Sequence, residues 1–268
     1  MHLACPKCKE RLTERDGRAV CSQSHSFDKS KKGYYNLLLT SKGGAHGDNR
    51  KMLDCRREFL DSGEYRPLAD ALAECVARYS RGGALLDIGC GEGYYTERLL
   101  YALRERGCGE LVAFDISKDA AALAKRRVKD AEVAVASAYD MPLADSTFDI
   151  AVNVFSPLCE SEIHRVLSDE GRFIFVIPDK RHLFELKSLV YDTPYENVVK
   201  DTHLDGFTLE EALPVSFKMQ LDTKEKISAL FGMTPYAYRT SREGRERVEK
   251  AERLTVSAEF IIFIYKKV

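Results

Sequence analysis

A chain of 268 residues, 44% hydrophobic and 31% charged, can bury a sizeable core with room for a second, small unit, and its composition excludes a disordered polymer. No apolar run reaches the length that crosses a bilayer, and the opening "MHLACPKCKE" has no continuous apolar segment, so neither membrane nor signal peptide is expected. A cytoplasmic location with reduced thiols follows, which makes the eight cysteines metal ligands or packing residues rather than disulfides. The net charge of −1 conceals an asymmetry: residues 1–60 hold thirteen Lys/Arg against seven Asp/Glu, an excess of six, so the remainder sums to −7. A basic front on an acidic body fits an anionic partner such as nucleic acid, although a solvated lysine-rich surface would give the same count.

The first element is a ligand pattern. In "ACPKCKERLTERDGRAVCSQSHSF", Cys5, Cys8, Cys21 and His25 stand as C-x2-C-x12-C-x3-H, a spacing that suits tetrahedral structural zinc. Four protein ligands close such a site to substrate. Three thiolates and a neutral imidazole leave one negative charge, which Lys7, Lys9 and Arg18 can offset. Cys55, Cys75, Cys90, Cys108 and Cys159 lack such neighbours and read as packing residues. The polar stretch "LTSKGGAHGDNRK" then reads as a linker, which divides the chain into a zinc-binding segment 1–38, a linker 39–55 and a main domain 56–268.

Past the linker, "RREFLDSGEYRPLADALAECVARYS" has helical spacing, with Leu68, Leu72, Cys75, Val76 and Tyr79 on one face. From Ala84 onwards apolar runs ("ALLDIG", "ELVAFDIS", "AEVAVAS", "FDIAVNVF", "GRFIFVIP") alternate with helix formers ("YTERLLYALRER", "SKDAAALAKRRV", "CESEIHRVL"). That alternation predicts an α/β fold, a parallel sheet with helices on both faces. "PVSFKMQL" and "SAEFIIFIYKKV" predict two further strands at one edge.

"LLDIGCGEGYYT" is a buried-type strand running into Gly89, Gly91 and Gly93 and then a helix. The dinucleotide fingerprint G-x-G-x-x-G fails here, because its third glycine would fall on Tyr94 or on Thr96. The D-x-G-C-G-x-G that stands instead resembles motif I of class I methyltransferases that use S-adenosyl-L-methionine. "VAFDIS" supports this with Asp115, an acid about twenty residues on, where a carboxylate grips ribose hydroxyls. "ASAYDMPLADSTFDIAV" resembles the adenine-side loop of the same superfamily, but Ser137 stands where many relatives place an acid. A tight turn at the glycines and a helix cap at Asp115 are the plainer alternatives.

Zinc knuckle, linker and core together resemble the bacterial 23S rRNA (guanine-N1)-methyltransferases of the RlmA type. The flanking stretches "FDKSKKGYYNLL", "RREFLDSGEYRPLADAL", "RHLFELKSLVY", "DGFTL" and "MTPYAYR" carry that likeness, which spans nearly the whole chain. The resemblance implies a Rossmann-like class I methyltransferase fold, a mainly parallel seven-stranded sheet behind a small zinc-binding domain. It also implies cofactor contacts from Tyr65, from the loop of Gly91, Glu92, Gly93 and Tyr94, and from His182. Read from the residues alone, Tyr65 is an aromatic at a helix start and His182 a satisfied structural histidine. The implied reaction is methyl transfer to N1 of a guanine in a hairpin loop of 23S ribosomal RNA, with no catalytic base named and assembly as monomer or homodimer left open. "NVFSP" falls on the acceptor side, with Asn153 either lining the guanine pocket or capping a strand end. The zinc unit reads as a handle for RNA, so alanine at Cys5 and Cys8 is expected to lose zinc and RNA methylation but keep cofactor binding. The competing functions are a small-molecule methyltransferase with an incidental zinc knuckle and an RNA-binding module with a vestigial cofactor site.

Overall fold

Three short strands, β1 (Thr13–Arg15), β2 (Arg18–Val20) and β3 (Ser26–Asp28), pair antiparallel in a small sheet at the front of the chain. The computed structural model describes residues 1–39, 47, 49–107, 109–199 and 202–268. After β4 (Tyr35–Asn36) come α1 (Arg50–Asp61) and α2 (Arg66–Tyr79). The alternation read from the sequence then appears in order: β5 (Ala84–Ile88), α3 (Tyr94–Glu105), β6 (Leu111–Asp115), α4 (Lys118–Arg127) and β7 (Glu132–Val135). β8 (Phe148–Val154), α5 (Glu160–Val166), β9 (Leu167–Pro178) and α6 (Phe184–Val190) continue it. The two expected late strands are β10 (Phe207–Leu221) and β11 (Leu254–Lys267), separated by α7 (Lys224–Met233), α8 (Tyr236–Arg239) and α9 (Arg242–Lys250).

Among the described residues the main sheet runs β10-β11-β9-β8-β5-β6-β7-β4. β11 pairs antiparallel with β9 and β10, and every other pairing is parallel. Seven strands were expected. The eighth, β4, comes from the zinc-binding segment and adds to the edge at β7. The linker read over 39–55 is too long at its end: residues 50–55 begin α1, because the Asn49 side chain accepts the Met52 N–H at 3.0 Å and caps a helix whose Leu53, Phe59 and Leu60 are buried. Residues 40–46 and 48 of that linker, and Cys108, lie outside the described residues.

Alternation along each strand sends neighbours to opposite faces. Leu85, Ala113, Val133 and Ile150 pack under α1 to α4 with Phe59, Leu68, Leu72, Leu99 and Leu103. Leu86, Ile88, Val112, Phe114 and Ala134 face the other way. There α5 supplies Ile163 and Val166, but residues 136–147, all described, form no helix between β7 and β8. Leu3, Leu12, Tyr35 and Leu37 of the N-terminal segment cover that gap instead. The helical cover expected on both faces is thus completed on one of them by the zinc-binding unit. Strand order reverses at β5, which has β6 on one side and β8 on the other; open sheets of this kind bind ligands outside the carboxyl ends of those strands.

Candidate functional site

At those carboxyl ends lies a cavity of about 1190 Å3. Tyr65, Gly89, Gly91, Glu92, Tyr94, Asp115 and His182 all line it; Gly93 stands just behind, as the N-cap of α3. The turn is held tightly. A Cβ on Gly89 would collide with Ser156, and one on Gly93 would come 2.8 Å from the Cα of Ala124. Gly91 differs: its φ of +56° favours glycine, yet a Cβ there would meet only Arg56 Nη1, at 3.8 Å, so its open face belongs to the cavity. Asp115 shapes the turn as well, its carboxylate accepting the Gly91 N–H at 3.0 Å and the Ser117 N–H at 2.8 Å.

Three buried acids and bases set the local electrostatics. Asp87, at the end of β5 and 2% exposed, accepts a 2.6 Å hydrogen bond from Thr96 Oγ1. Burial pushes its carboxyl up to about 7, with the charge of Asp115 adding and the Thr96 bond opposing. Glu92 is buried too, and burial raises its carboxyl although Arg127 lies 2.7 Å from Oε2. Its Oε1 has no partner among the described residues, and neither does the buried Tyr95 Oη, also on the cavity wall. Orphaned buried polar atoms on a cavity wall are what a polar ligand satisfies.

His182 closes the far side. Burial lowers its imidazole to about 3, helped by the charge of Lys187 and opposed by its bond to Glu259, so the ring is neutral. Nδ1 accepts the Glu259 N–H at 3.2 Å, which assigns the proton to Nε2, 3.4 Å from Tyr65 Oη. Tyr65 therefore accepts from histidine, and its own hydroxyl hydrogen is left to donate into the cavity. Burial also raises the Tyr65 phenol, which keeps that hydrogen on. Phe59 and Phe260 hold the Tyr65 ring edge-on at 5.3 Å.

The loop after β8 is strained. Phe155 has a φ of +58°, unusual for a bulky residue, and its ring is 45% exposed on the cavity wall, 5.5 Å from Phe260 and 6.4 Å from Tyr95. Asn153 holds the turn: Oδ1 accepts the Ser156 N–H at 3.1 Å and Nδ2 donates to the Pro157 carbonyl at 3.0 Å. Ser156 Oγ donates to the Ile88 carbonyl at 2.8 Å. The capping alternative for Asn153 is the observed one, and Val154, Phe155, Ser156 and Pro157 of "NVFSP" line the cavity. Met233, Thr234, Pro235 and Tyr236 of "MTPYAYR" also line the cavity, whereas Tyr238 is exposed. Arg56 and Tyr195 line it without having been expected, since a lone residue in a helix or loop carries no motif, and Tyr95, beside Tyr94 in the glycine motif, lines it as well.

The ligand atoms of Cys5, Cys8, Cys21 and His25 all lie within 4.8 Å of one another. His25 Nδ1 is 3.5 Å from Cys5 Sγ and 3.4 Å from Cys21 Sγ, and the Cys8 and Cys21 sulfurs are 3.6 Å apart. Bonds of about 2.3 Å to sulfur and about 2.0 Å to nitrogen around a tetrahedron give edges of roughly 3.5–3.8 Å. The donor set and spacing fit zinc, closed by four protein ligands.

Comparison with known proteins follows the same two parts. A family model described as "RlmA, N-terminal" matches residues 3–42, and one described as "Methyltransferase domain" matches residues 86–175. YxjB of Bacillus subtilis (strain 168) is 30% identical over 275 residues, covering 96% of this chain and 95% of that one. A Micromonospora griseorubida protein is 34% identical over 263 residues, covering 89% and 88%. Both are provisionally named 23S rRNA (guanine-N(1)-)-methyltransferases. The 23S rRNA (guanine(748)-N(1))-methyltransferase of Streptomyces fradiae is 36% identical over 189 residues, covering 69% of this chain and 66% of its own length. Among solved structures, Bacillus subtilis YcgJ shares the fold alone, with a TM-score of 0.51 at 16% identity over 74% of this chain and 97% of that one.

Proposed function

This chain belongs to the 23S rRNA (guanine-N1)-methyltransferase family, and from that premise we propose how its residues divide the reaction. It is an enzyme that moves a methyl group from S-adenosyl-L-methionine to N1 of a guanine in 23S ribosomal RNA, and it uses a structural zinc. The observation that carries the reading is a single cavity joining the glycine turn and Asp115 to the aromatic wall of Phe155 and Tyr195. At about 1190 Å3 it exceeds the usual range of roughly 300–1,000 Å3 for one small ligand, which leaves room for a nucleobase beside the cofactor.

Gly89, Gly91, Glu92, Gly93, Tyr94 and Asp115 form the cofactor's end of the cavity, with Tyr65 and His182 beside it. The Gly91 face accepts close backbone approach, Asp115 brings its carboxylate to the hydroxyls, Glu92 Oε1 offers an acceptor to a cation, and Tyr65 offers a donor. Bound there, S-adenosyl-L-methionine supplies an electrophilic methyl group on a sulfonium. Cys5, Cys8, Cys21 and His25 hold the zinc.

Guanine N1 lies on the Watson–Crick edge and is blocked in a paired base, so the target sits in a hairpin loop and enters the cavity unstacked. Phe155 stacks on it, and Asn153 keeps the Phe155 turn in shape. Among the described residues, each carboxylate on the wall has at least one protein donor: Glu92 Oε2 has Arg127, Asp115 has backbone N–H groups, and Asp140 has Lys9. His182 is a poor base at neutral pH. The N1 proton passes to solvent water as the methyl group is transferred and S-adenosylhomocysteine is left behind, and positioning, which supplies roughly 7–11 kcal/mol in well-oriented reactions, carries the acceleration rather than a dedicated protein base. Exposed Lys7, Arg15, Lys31 and Lys32 on the zinc-binding unit meet RNA phosphates, and work on ribosomal RNA fits a cytoplasmic location.

Incubating the zinc-loaded chain and methyl-labelled cofactor with 23S rRNA from cells lacking this enzyme tests the reading. Mass mapping should find one methylated guanine that also stops reverse transcription. Label that enters a metabolite extract but not the rRNA would overturn it.

A further inference from the structure

The cavity is completed from outside the methyltransferase fold. Pro6, between the ligands Cys5 and Cys8, lines it, and so do Leu37 and Leu38, beside Ser137, Tyr139 and Asp140 of the irregular stretch after β7. Three contacts join knuckle to stretch: the Ala4 N–H donates to the Pro142 carbonyl at 2.7 Å, Leu3 bridges antiparallel to Leu143, and the Lys9 ammonium pairs with the Asp140 carboxylate. Arg165 separately grips the carbonyls of Met141 and Leu143 at 3.0 and 2.7 Å, which secures residues 141–143 from the α5 side. Among the described residues, 137–140 have no such anchor. They hold one local turn, with Ser137 Oγ accepting the Tyr139 N–H at 3.2 Å and a bridge from Ser137 to Asp140, and otherwise lean on the knuckle through Lys9.

The knuckle in turn depends on its ligands. Lys9 sits at φ +63°, a left-handed conformation unfavourable to lysine, and its N–H closes the turn on the Cys5 carbonyl at 2.8 Å. Cys5 is fully buried, and zinc bound by the four ligands would brace the knuckle further, since structural zinc sites supply folding energy.

We propose that the zinc knuckle is a wall of the cofactor cavity, and that Pro6 and Lys9 hold residues 137–140 in the shape that receives the adenine ring, so that zinc and cofactor bind cooperatively. The proposal rests on reading the cavity as the S-adenosyl-L-methionine site. It reverses the division of labour expected from the sequence, in which losing Cys5 and Cys8 spares cofactor binding. Coupling of this kind is reciprocal: whatever factor zinc adds to cofactor affinity, cofactor adds to zinc affinity.

Calorimetric titration with S-adenosylhomocysteine tests it on the zinc-loaded chain, the chelator-stripped chain, and zinc-loaded Lys9→Ala and Pro6→Gly variants whose metal content is confirmed by atomic spectroscopy. Stripping should weaken binding about tenfold, within the usual span of coupling between sites. Lys9→Ala, which loses an exposed ion pair but keeps the metal, should weaken it about two- to fivefold. Competition with a chromophoric chelator should show tighter zinc when S-adenosylhomocysteine is present. Unchanged affinity on stripping, unchanged affinity in both variants, or zinc affinity indifferent to the nucleoside would each overturn the proposal. No heat from the zinc-loaded parent would instead bring down the cofactor reading beneath it.

Discussion

Asp87 and His182 titrate in opposite senses, and together they flatten the pH dependence of the fold. Asp87 binds its proton up to about pH 7 in the native chain, against 3.8 for the ordinary group, so the native state holds more protons than the unfolded one between those values. Its contribution to stability is full below pH 3.8 and is lost as pH rises through 7. His182 runs the other way: its native value is about 3 against 6.5, so its contribution is present above 6.5 and is lost as pH falls toward 3. Between 3.8 and 6.5 the two slopes oppose each other. Asp87→Asn removes one of them, and the variant's melting temperature should climb more steeply than the parent's between about pH 4 and 6.5. Equal slopes in thermal melts across that range would mean Asp87 is not protonated as described. Beside them, Tyr65→Phe deletes a hydroxyl and leaves the ring packed on Phe59 and Phe260. Cofactor affinity should drop about five- to tenfold, for a hydrogen bond of roughly 1 kcal/mol, and the melting temperature should fall as well, because the buried His182 Nε2–H loses its acceptor. An unaltered dissociation constant would make Tyr65 a packing aromatic only.

On the proposed reading, the turn that follows β8 is the element on which acceptor binding depends. Asn153→Ala leaves the Ser156 N–H and the Pro157 carbonyl without partners and frees Phe155 from its left-handed backbone. RNA methylation measured as kcat/KM should fall about ten- to a hundredfold in that variant, while cofactor binding by calorimetry stays within twofold. Phe155→Ala should do the same by losing a stacking surface, for which roughly 1–3 kcal/mol per base is usual. If both variants methylate rRNA at parental rates, the base lies elsewhere. Nothing in "NVFSP" announces this arrangement, because a positive φ at phenylalanine is imposed by tertiary contacts rather than by the residue. The elements around it were legible for the opposite reason. Strands buried on both faces read as unbroken apolar runs, and β5, β6, β7, β8 and β9 appear where "ALLDIG" through "GRFIFVIP" put them. The glycine turn and Asp115 were legible because their spacing is a local property. Arg56 and Tyr195 reach the cavity from separate segments, and no periodicity links them. The same limit hid β4, two residues long, and the helix-free connection over 136–147.

For the molecule as a whole, the consequence of that bare connection is that the zinc-binding unit is part of the core. Leu3, Leu12, Tyr35 and Leu37 are buried against Leu86, Ile88, Val112, Phe114, Met141 and Leu143. Burying a large apolar side chain is worth about 1.5–3 kcal/mol, so these four together contribute roughly 6–12 kcal/mol as an upper bound. That is comparable to the whole stability of a typical domain, about 5–15 kcal/mol. A chain cut back to residues 50–268 would expose a contiguous apolar face on the sheet and an unpaired edge at β7, both of which invite association. The truncated chain is therefore expected to aggregate on size-exclusion chromatography, or to melt well below the parent by circular dichroism, rather than persist as a catalytic core. A monomeric fragment with the parent's melting temperature would show that the apolar face closes without help, and the zinc-binding unit would then be an appendage to a self-sufficient fold.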